Sequence, residues 1–477
     1  MWPGILKRFS FKSKPKLTAC GSKVQLDKGG GNYMEEATAT GQLTENDHRP
    51  KDSEAAIEKY HGRVSKITDI KDLAGRQREK SWFAQDRDQS TPTNVEHLYA
   101  YSDLRILHIE LSTDCNALCP QCARTEAGAC VNRTLKISHL SLEDVKLLLP
   151  HAFLKQLKKV FLCGNYGYPG MAPDCLAVVQ YLCESNPKMK VGIHTNGGMR
   201  TASFWSDLGA LMPSPNYCRF AIDGLQDTNH LYRQRVSWKK LMRNIEAFIA
   251  AGGRAEWDFL IFEHNEHQVD EARELAETLG CSRFQAKSTS RFLNRQTGEV
   301  RDAYEVKTKE AGVSHLLRPP STPEHRNEAL VQDIPRVLQQ YGNMDTYFDA
   351  VQVDKCSCQA AKDHQAYISA ERLVLPCCWL AGHVYDRMGE DKRQLLPLLA
   401  KEGLTLDDIR ITPERSLHHI IEGPLFQWLV TDSWKLPSMQ EGKLRTCAMT
   451  CGKDVSSFSK RFLKTDTVNI SRESGSQ

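Results

Sequence analysis

Residues 104–122 read LRILHIELSTDCNALCPQC, a strand-like run that leads directly into three cysteines. Apolar and polar residues alternate through most of LRILHIELS (104–112), which is typical of a β-strand. Cys115, Cys119 and Cys122 follow at spacings of four and three residues, in the loop that leaves this strand. In parallel α/β folds, the loops at the carboxyl ends of the strands hold the chemistry. The stretch therefore predicts both a first strand and a candidate site.

The alternation of strand and helix patterns continues to residue 287. The predicted strands are 104–112, 158–165, 190–198, 217–224, 255–263 and 282–287, and the predicted helices are 140–151, 173–185, 201–211, 238–253 and 267–280. Strict alternation of this kind predicts a parallel sheet with helical crossovers. Six strands are too few to close an eight-stranded barrel. We therefore predict an α/β fold with an open, TIM-like partial (βα)6 barrel.

The composition indicates a soluble protein of a reducing compartment. The 477 residues are 40% hydrophobic and 26% charged, and the net charge of +4 does not argue for nucleic acid as a partner. No apolar run approaches the roughly 20 residues that a membrane span needs. Sixteen cysteines without a secretory signal favour metal or cluster ligation over disulfides. We predict a cytoplasmic location, with organelle targeting by the basic N-terminus as an alternative.

Three kinds of site are open to the thiols of the 115–122 loop. A structural zinc site usually has four ligands, whereas this loop offers three and has no well-placed histidine nearby. A redox dithiol needs only two cysteines. A 4Fe–4S cluster held by three thiolates leaves one iron open to an outside ligand. The number of thiols therefore favours the cluster.

The CxxxCxxC spacing after the first strand of an alternating barrel resembles the radical S-adenosylmethionine (SAM) enzymes. The resemblance implies that Cys115, Cys119 and Cys122 bind the catalytic 4Fe–4S cluster. It also implies that the open iron chelates SAM. Reductive cleavage of SAM would then give a 5′-deoxyadenosyl radical, which abstracts hydrogen from a substrate C–H.

Further segments at the ends of later strands resemble the parts of this family that bind SAM. They are FLCGNYGYPG (161–170), HTNGG (194–198), FAIDG (220–224), DTNHLYRQ (227–234) and IFEHNEHQ (261–268), and the residues implied to contact SAM are Gly164, Asn165, Gly167, Thr195, Asn196, Asp223, Arg233 and Asn265. Three simpler interpretations remain open. The glycines also suit a tight turn, Arg233 a surface salt bridge, and Asn265 a helix cap.

The chain departs from the family pattern at two positions. Tyr168 stands where an acid is common in the glycine-rich segment, and Gln121 stands where an aromatic residue is common before the third cysteine. The first departure puts a carboxylate contact to SAM in doubt. The second puts in doubt the stacking of an aromatic ring on adenine.

A second group of cysteines follows the barrel. It comprises KCSC (355–358), LPCCWLAG (375–382) and TCAMTCG (446–452), with QAYISAERLVLP (365–376) between the first two as a predicted β-hairpin. The arrangement resembles the small SPASM or twitch extensions that bind an auxiliary 4Fe–4S cluster. The implied ligands are Cys356, Cys377, Cys447 and Cys451, with Cys358 and Cys378 as possible substitutes. A zinc knuckle is the alternative, because thiolate spacing does not separate zinc from iron–sulfur.

These segments predict five regions of the chain. They are a disordered N-terminal extension (1–95), the radical SAM core (100–290), a linker or cap (291–350) with a helix near 330–341, the auxiliary cluster domain (351–460), and a disordered tail (461–477).

The sequence predicts a radical SAM oxidoreductase or modifying enzyme. Its substrate would be a small molecule or a peptide, and an electron donor such as a flavodoxin or ferredoxin would serve it. A non-catalytic iron–sulfur carrier or redox sensor is the first alternative, and a zinc-binding interaction module is the second.

Overall fold

The computed structural model of the protein describes residues 97–294, 297–351, 358–385, 394–451 and 462–469. The predicted N-terminal extension and Cys356 lie outside these ranges. Within them, no helix is both long enough and apolar enough to cross a membrane.

One large sheet forms the centre of the fold. Its strands are β1 (Ile106–Ile109), β2 (Lys159–Leu162), β3 (Lys190–Thr195), β4 (Tyr217–Ala221), β5 (Ala255–Leu260), β6 (Arg283–Thr289), β9 (Gln365–Ile368), β10 (Val374–Leu375) and β11 (Phe462–Asn469). Their order is β10-β9-β1-β2-β3-β4-β5-β6-β11. Strands β1 to β6 are parallel and lie side by side in chain order, which confirms the partial barrel.

Helices connect the strands of the barrel and cover its outer face. They are α1 (Leu142–Leu148), α2 (His151–Leu154), α3 (Cys175–Ser185), α4 (Ala202–Leu211), α5 (Asn229–Tyr232), α6 (Trp238–Ala250) and α7 (Val269–Leu279). Local chemistry sets their ends. Ser141 and Asp144 form a capping box at the start of α1, and Gly280 ends α7 with a φ of +83°.

The two faces of the barrel sheet differ in chemistry. On the outer face of β4, Phe220 packs against Trp205 of α4 and Phe248 of α6, with ring centroids 5.3 and 5.8 Å away. On the opposite face of the same strand, Arg219 forms an ion pair with Glu256 of β5. Side chains alternate between the faces of a strand, so the helices cover an apolar surface while polar groups line the lumen.

Both edges of the sheet are extended by later parts of the chain. The predicted hairpin at 365–376 is confirmed as β9 and β10, and β9 pairs in parallel with β1. At the other edge, β11 pairs antiparallel with β6. The sequence predicted a disordered tail over 461–477, and the structure differs at this strand. The pairing of β11 with a strand some 180 residues earlier leaves no local sequence signal.

The segment after β6 is more ordered than its irregular sequence suggests. It holds a hairpin of β7 (Tyr304–Lys307) and β8 (Val313–Leu317), followed by α8 (Glu328–Tyr341) and α9 (Met344–Ala350). The helix expected near 330–341 is thereby confirmed. Ile334 and Phe348 from these helices form a small core with Ala448. The segment thus supports the part of the chain that carries the last two cysteines.

The remaining described helices lie before and after β9 in the chain. The helix before it is α10 (Gln359–Asp363). The helices after it are α11 (Gly382–Tyr385), α12 (Leu395–Ala400), α13 (Leu417–Ile421), a π-helix (Leu425–Leu429), α14 (Val430–Lys435) and α15 (Arg445–Cys451). Short 3-10 turns occur along the chain at Tyr101–Asp103, Pro169–Met171, Glu266–Gln268, Pro323–His325 and Leu406–Ile409.

Candidate functional site

The cysteine loop after β1 is closed by a buried ion pair. Arg124 NH2 lies 2.9 Å from Asp114 Oδ1, and the Arg124 side chain is only 2% exposed. Asp114 Oδ1 also accepts a hydrogen bond from the Cys115 backbone N–H at 2.8 Å, and Arg124 Nε donates to the Thr113 carbonyl. Asp114 precedes the first cysteine and Arg124 follows the third, so this pair fixes both ends of the loop.

Cys119 is buried, Cys115 and Cys122 are half-buried, and the three thiols lie within electrostatic reach of one another. Burial, together with the neighbouring Cys119 and more weakly Cys122, raises the pKa of Cys115 to about 12. Burial also raises the pKa of Cys119, against the lowering effect of Arg233. Because metal ligation requires the thiolate form, iron binding here would release protons.

Arg233 links the cysteine loop to the end of β4. Its Nε lies 2.6 Å from Asp223 Oδ2, and its NH1 lies 3.6 Å from the Cys119 sulfur. Asp223 is fully buried, and its other oxygen accepts a hydrogen bond from the Leu260 N–H. Arg233 is therefore held in an internal ion pair, and the surface salt bridge that the sequence left open is not what forms.

Asn196 contacts the first cysteine from the end of β3. Its Nδ2 lies 3.7 Å from the Cys115 sulfur and donates to Asn116 Oδ1 at 3.0 Å. Its oxygen accepts from the Gly198 N–H. Asn196 and Arg233 thus direct N–H groups at two of the three sulfurs, an arrangement that favours negative charge on them.

The glycine-rich turn after β2 packs directly on the cysteine loop. A Cβ atom at Gly167 would lie 1.8 Å from the Ser112 carbonyl oxygen, and one at Gly164 would lie 2.0 Å from the Gly167 oxygen. Only glycine permits this approach. Glu110, at the end of β1, accepts hydrogen bonds from the backbone N–H groups of Asn165 and Tyr166 and from the Tyr367 hydroxyl.

Three other predicted SAM contacts have side chains that are engaged within the protein. Asn165 Nδ2 donates to the Cys378 carbonyl, away from the cysteine loop. Thr195 Oγ1 accepts from the Gly197 N–H. Asn265 is fully buried: its amide donates to the carbonyls of Asp223 and Leu260 and its oxygen accepts from Phe262 N–H, without capping the helical turn that follows.

The two departures from the family pattern take different positions. Tyr168 is buried, and its hydroxyl forms a hydrogen bond with Thr195. Gln121 is half-buried beside the loop, with Nε2 lying 3.5 Å from the Arg291 carbonyl, and its buried Oε1 meets no hydrogen-bond partner among the described residues. A polar side chain therefore stands where an aromatic ring would otherwise be expected.

The second cysteine group forms a pocket of its own. Cys358, Cys377, Cys447 and Cys451 all line one pocket, beside Trp379 and Trp434. These cysteines come from three separate segments: the start of α10, the turn after β10, and α15. The pocket therefore depends on the tertiary fold.

Two of the thiols that line this pocket are in direct contact. Cys358 and Cys451 form a hydrogen bond, which together with burial raises the pKa of Cys358. Burial raises the pKa of Cys377 to about 12, and Cys378 adds to this, while backbone N–H groups of Leu380 and Trp379 oppose it. Cys378 does not line the pocket, and it lies within electrostatic reach of Cys163 at the end of β2.

Both cysteine groups have donor chemistry that suits iron–sulfur clusters. Each consists of buried and half-buried thiols, and in each group N–H groups are directed at sulfur. Across the ranges that the structure describes, no three His, Cys, Asp or Glu side chains meet in an arrangement that would hold a single metal ion. The fit to a cluster therefore rests on the donor set and on its surroundings.

Sequence reasoning missed three groups at the first site. Glu110 is a lone acid at the end of an apolar strand, a signal that was readable in the sequence. The Asp114–Arg124 pair and the Asn116 contact to Asn196 depend on the loop conformation, for which no sequence pattern was available.

Comparison with known proteins identifies the barrel. Residues 109–276 match the family model of the radical SAM superfamily. No curated protein matches the chain. Members of this superfamily are enzymes that use a 4Fe–4S cluster and SAM.

Several solved structures resemble the chain at low identity. The crystal structure of SuiB from Streptococcus suis has a TM-score of 0.41 and 15% identity, covering 72% of this chain and 77% of SuiB. SuiB bound to its precursor peptide SuiA has a TM-score of 0.41 and 14% identity, covering 83% and 89%. Native anSMEcpe with bound AdoMet has a TM-score of 0.40 and 16% identity, covering 72% and 89%. This level of likeness identifies no substrate for the present chain.

The family match begins at the last residue of β1 and ends within α7, so it spans most of the barrel and the whole cysteine loop. Over the segment 109–276, the chain is therefore similar to the radical SAM superfamily.

Proposed function

We propose that the protein is a radical SAM enzyme that abstracts hydrogen from a substrate C–H. The observation that carries the proposal is the loop of Cys115, Cys119 and Cys122, which lies at the carboxyl end of β1 with Arg233 and Asn196 directed at its sulfurs. An electron carrier needs neither an open iron nor a binding site for a cofactor beside it.

The chain would hold its cofactors with named groups. Cys115, Cys119 and Cys122 hold the cluster, which when bound delivers the electron that cleaves SAM to the 5′-deoxyadenosyl radical. The backbone of the Gly164–Gly167 turn lies against the loop and offers close approach to the amino end of SAM. Asn196 and Arg233 orient the cofactor from the ends of β3 and β4.

Two of the predicted SAM contacts have a supporting role in this proposal. Asp223 holds Arg233 in place through the 2.6 Å ion pair. Asn265 holds the Asp223 backbone through its amide. A contact from Asn265 to adenosine, and contacts from Thr195 or Asn165 to SAM, stay predictions, since these side chains already have partners in the protein.

We also propose an auxiliary 4Fe–4S cluster in the second pocket, as in the SPASM or twitch extensions. Its ligands would be Cys358, Cys377, Cys447 and Cys451, because these four line one pocket. Cys358 was a substitute in the sequence-based set, and Cys356 lies outside the described residues. Four thiolate ligands suit an electron conduit, which would accept the second electron of a substrate oxidation.

The substrate and the electron donor follow from the reaction class. A small molecule or a peptide with an unactivated C–H is the expected substrate, and a low-potential carrier such as a flavodoxin or ferredoxin is the expected donor. A cytoplasmic location, with reduced thiols, would keep both clusters assembled.

The proposal is tested with anaerobically reconstituted full-length protein. We expect about eight irons per chain, as two 4Fe–4S clusters require, and formation of 5′-deoxyadenosine when the reduced protein is given SAM. Cys119→Ala should abolish this product. Cys183→Ser, which changes a half-buried cysteine on α3 outside both groups, should retain it. Iron without any cleavage would favour the electron carrier, and zinc in place of iron would reject the proposal.

A further inference from the structure

The second cysteine pocket contains a tryptophan whose indole N–H has not met an acceptor. Trp434 lines the pocket together with Cys358, Cys377, Cys447 and Cys451. Its Nε1 atom is buried and meets no hydrogen-bond partner among the residues that the structure describes. Buried polar groups without a partner destabilise a fold and are rare in native proteins. An acceptor that is bound in the pocket would satisfy this N–H group.

Two buried tryptophans of the barrel show how such a group is normally satisfied. Trp205 Nε1 donates to the Met199 carbonyl at 2.9 Å, and Trp257 Nε1 donates to the Ile222 carbonyl at 2.9 Å. The indole N–H can only donate a hydrogen bond, and a buried tryptophan usually finds a partner for it. Trp434 differs from both in lining a pocket whose other walls are thiols.

The helix that carries Trp434 is irregular next to this pocket. The π-helix Leu425–Leu429 leads directly into α14, on which Val430 and Trp434 both line the pocket. Residues four apart lie on one face of an α-helix, so α14 presents this face to the thiols. Turns of π-helix are rare and occur often at functional sites. The local backbone therefore supports a role for Trp434 at the pocket.

The pocket offers its thiols hydrogen-bond donors and no charged side chain. Backbone N–H groups of Ala360 and Ala361 are directed at the Cys358 sulfur, as others are at Cys377. Among the described residues, neither a cation nor an acid lines the pocket. Thiolates that bind iron concentrate negative charge in this space. Neutral N–H groups therefore have to stabilise that charge.

We propose that Trp434 donates its indole N–H to a sulfur atom of the iron–sulfur cluster that the four thiols of this pocket hold. The assignment rests on the proposed function, because the auxiliary cluster is part of it. Reduction adds negative charge to a cluster, and hydrogen bonds to its sulfurs help to set its reduction potential. A donor at sulfur stabilises the reduced form more than the oxidised form, so Trp434 raises the potential. The raised potential suits a cluster that accepts the second electron of a substrate oxidation.

The first test detects the indole nitrogen beside the cluster. Reconstituted full-length protein carries tryptophan labelled with ¹⁵N in the indole ring, and the parent variant Cys119→Ala removes the cluster of the β1 loop. Electron–nuclear double resonance is then measured on the reduced auxiliary cluster. We expect a ¹⁵N coupling in the parent and its loss when Trp434→Phe is added, because phenylalanine keeps an aromatic ring and has no N–H.

Trp428→Phe is the matched control. Trp428 is a half-buried tryptophan of the π-helix that does not line the pocket, so its replacement should leave the ¹⁵N coupling in place.

A redox titration of the same samples measures the consequence for the cluster. The midpoint potential should be lower with Trp434→Phe than in the parent, and it should be unchanged with Trp428→Phe. The iron content should stay at about four per chain in all three samples, as one 4Fe–4S cluster requires. A merely structural tryptophan would alter the iron content or the stability without this shift of the potential.

Three results would overturn the role of Trp434. One is a parent without any ¹⁵N coupling, which needs no further variant and holds even if Trp434→Phe fails to fold. Another is a coupling that persists in Trp434→Phe, and the third is an unchanged potential in a Trp434→Phe sample that keeps its iron. In protein with Cys119 intact, SAM cleavage without the coupling rejects the role of Trp434 alone. A coupling without SAM cleavage rejects the radical reaction alone.

Discussion

At the scale of single residues, Glu110 joins the cysteine loop, the glycine-rich turn and the hairpin after the barrel. It is 1% exposed and accepts hydrogen bonds from Asn165, Tyr166 and Tyr367. Burial raises its pKa to about 7, although these three donors act to lower it. A carboxyl with a raised pKa in the folded state makes stability depend on pH.

We predict that Glu110→Gln removes a pH dependence of stability. In the wild type, Glu110 keeps its proton in the folded state at pH values where the unfolded state has lost it. The contribution of Glu110 to the free energy of unfolding is therefore full below pH 4.5 and is lost as pH rises through about 7. The shift corresponds to about 3 kcal/mol. Urea unfolding across this range should show a flatter profile for the variant, and an unchanged profile would reject the role of Glu110.

Tyr367→Phe provides the matched control. It removes one donor to Glu110 and keeps the carboxyl, so the pKa of Glu110 should rise further and the loss of stability should move to higher pH.

For Arg233, a structural role can be distinguished from the proposed role at the cofactor. We predict that Arg233→Met destabilises the fold by about 3–5 kcal/mol, because it leaves the Asp223 carboxylate buried without its cation. The double variant Arg233→Met/Asp223→Asn should recover most of this loss and still fail to cleave SAM. Recovery of cleavage in the double variant would show that Arg233 does not act on the cofactor.

At the scale of elements, the turn after β2 has no room for a side chain. We predict that Gly167→Ala displaces the turn from the cysteine loop, since the new Cβ would lie 1.8 Å from the Ser112 oxygen. SAM binding, measured by equilibrium dialysis, should weaken while the iron content stays the same. Gly312→Ala, whose Cβ would meet only Thr308 Oγ1 at 3.2 Å, should bind SAM normally.

The second cysteine pocket makes a separate prediction. Cys358→Ser should reduce the iron content from about eight to about four per chain, because Cys358 lines the pocket with three other thiols. Cys378→Ser should keep all of the iron, since Cys378 lies outside the pocket. Loss of iron in Cys378→Ser but not in Cys358→Ser would show that Cys378, and not Cys358, is the ligand.

An element could be predicted from the sequence where the residues that specify it lie close together in the chain. The strand periods of β1 to β6 are local signals, and the sequence predicted these strands. The pairing of β9 with β1 and of β11 with β6 joins segments far apart in the chain. Such pairings depend on tertiary packing, which no pattern within a strand encodes.

At the scale of the whole molecule, the chain places two buried cysteine groups around one barrel. The first lies in the β1 loop, and the second is assembled from α10, the β10 turn and α15. The hairpin that carries Cys377 is bonded to β1 itself. The two groups are therefore connected through neighbouring strands of one sheet.

The site was only partly readable from the sequence. Spacing marked Cys115, Cys119 and Cys122 as candidate ligands, because three thiols in one loop form a compact motif. It did not identify the Asp114–Arg124 pair, because that pair depends on the conformation of the loop. The choice of Cys358 in the second group needed the tertiary structure, since four cysteines from three segments carry no single spacing.

The most direct measurement of the central claim is electron paramagnetic resonance of the cluster in the β1 loop. Cys377→Ser removes the proposed auxiliary cluster, so that a reduced sample shows the first cluster alone. We predict that adding SAM changes the g values of this signal, because SAM binds the open iron. A spectrum that stays the same at saturating SAM would contradict the claim that Cys115, Cys119 and Cys122 leave an iron free for the cofactor.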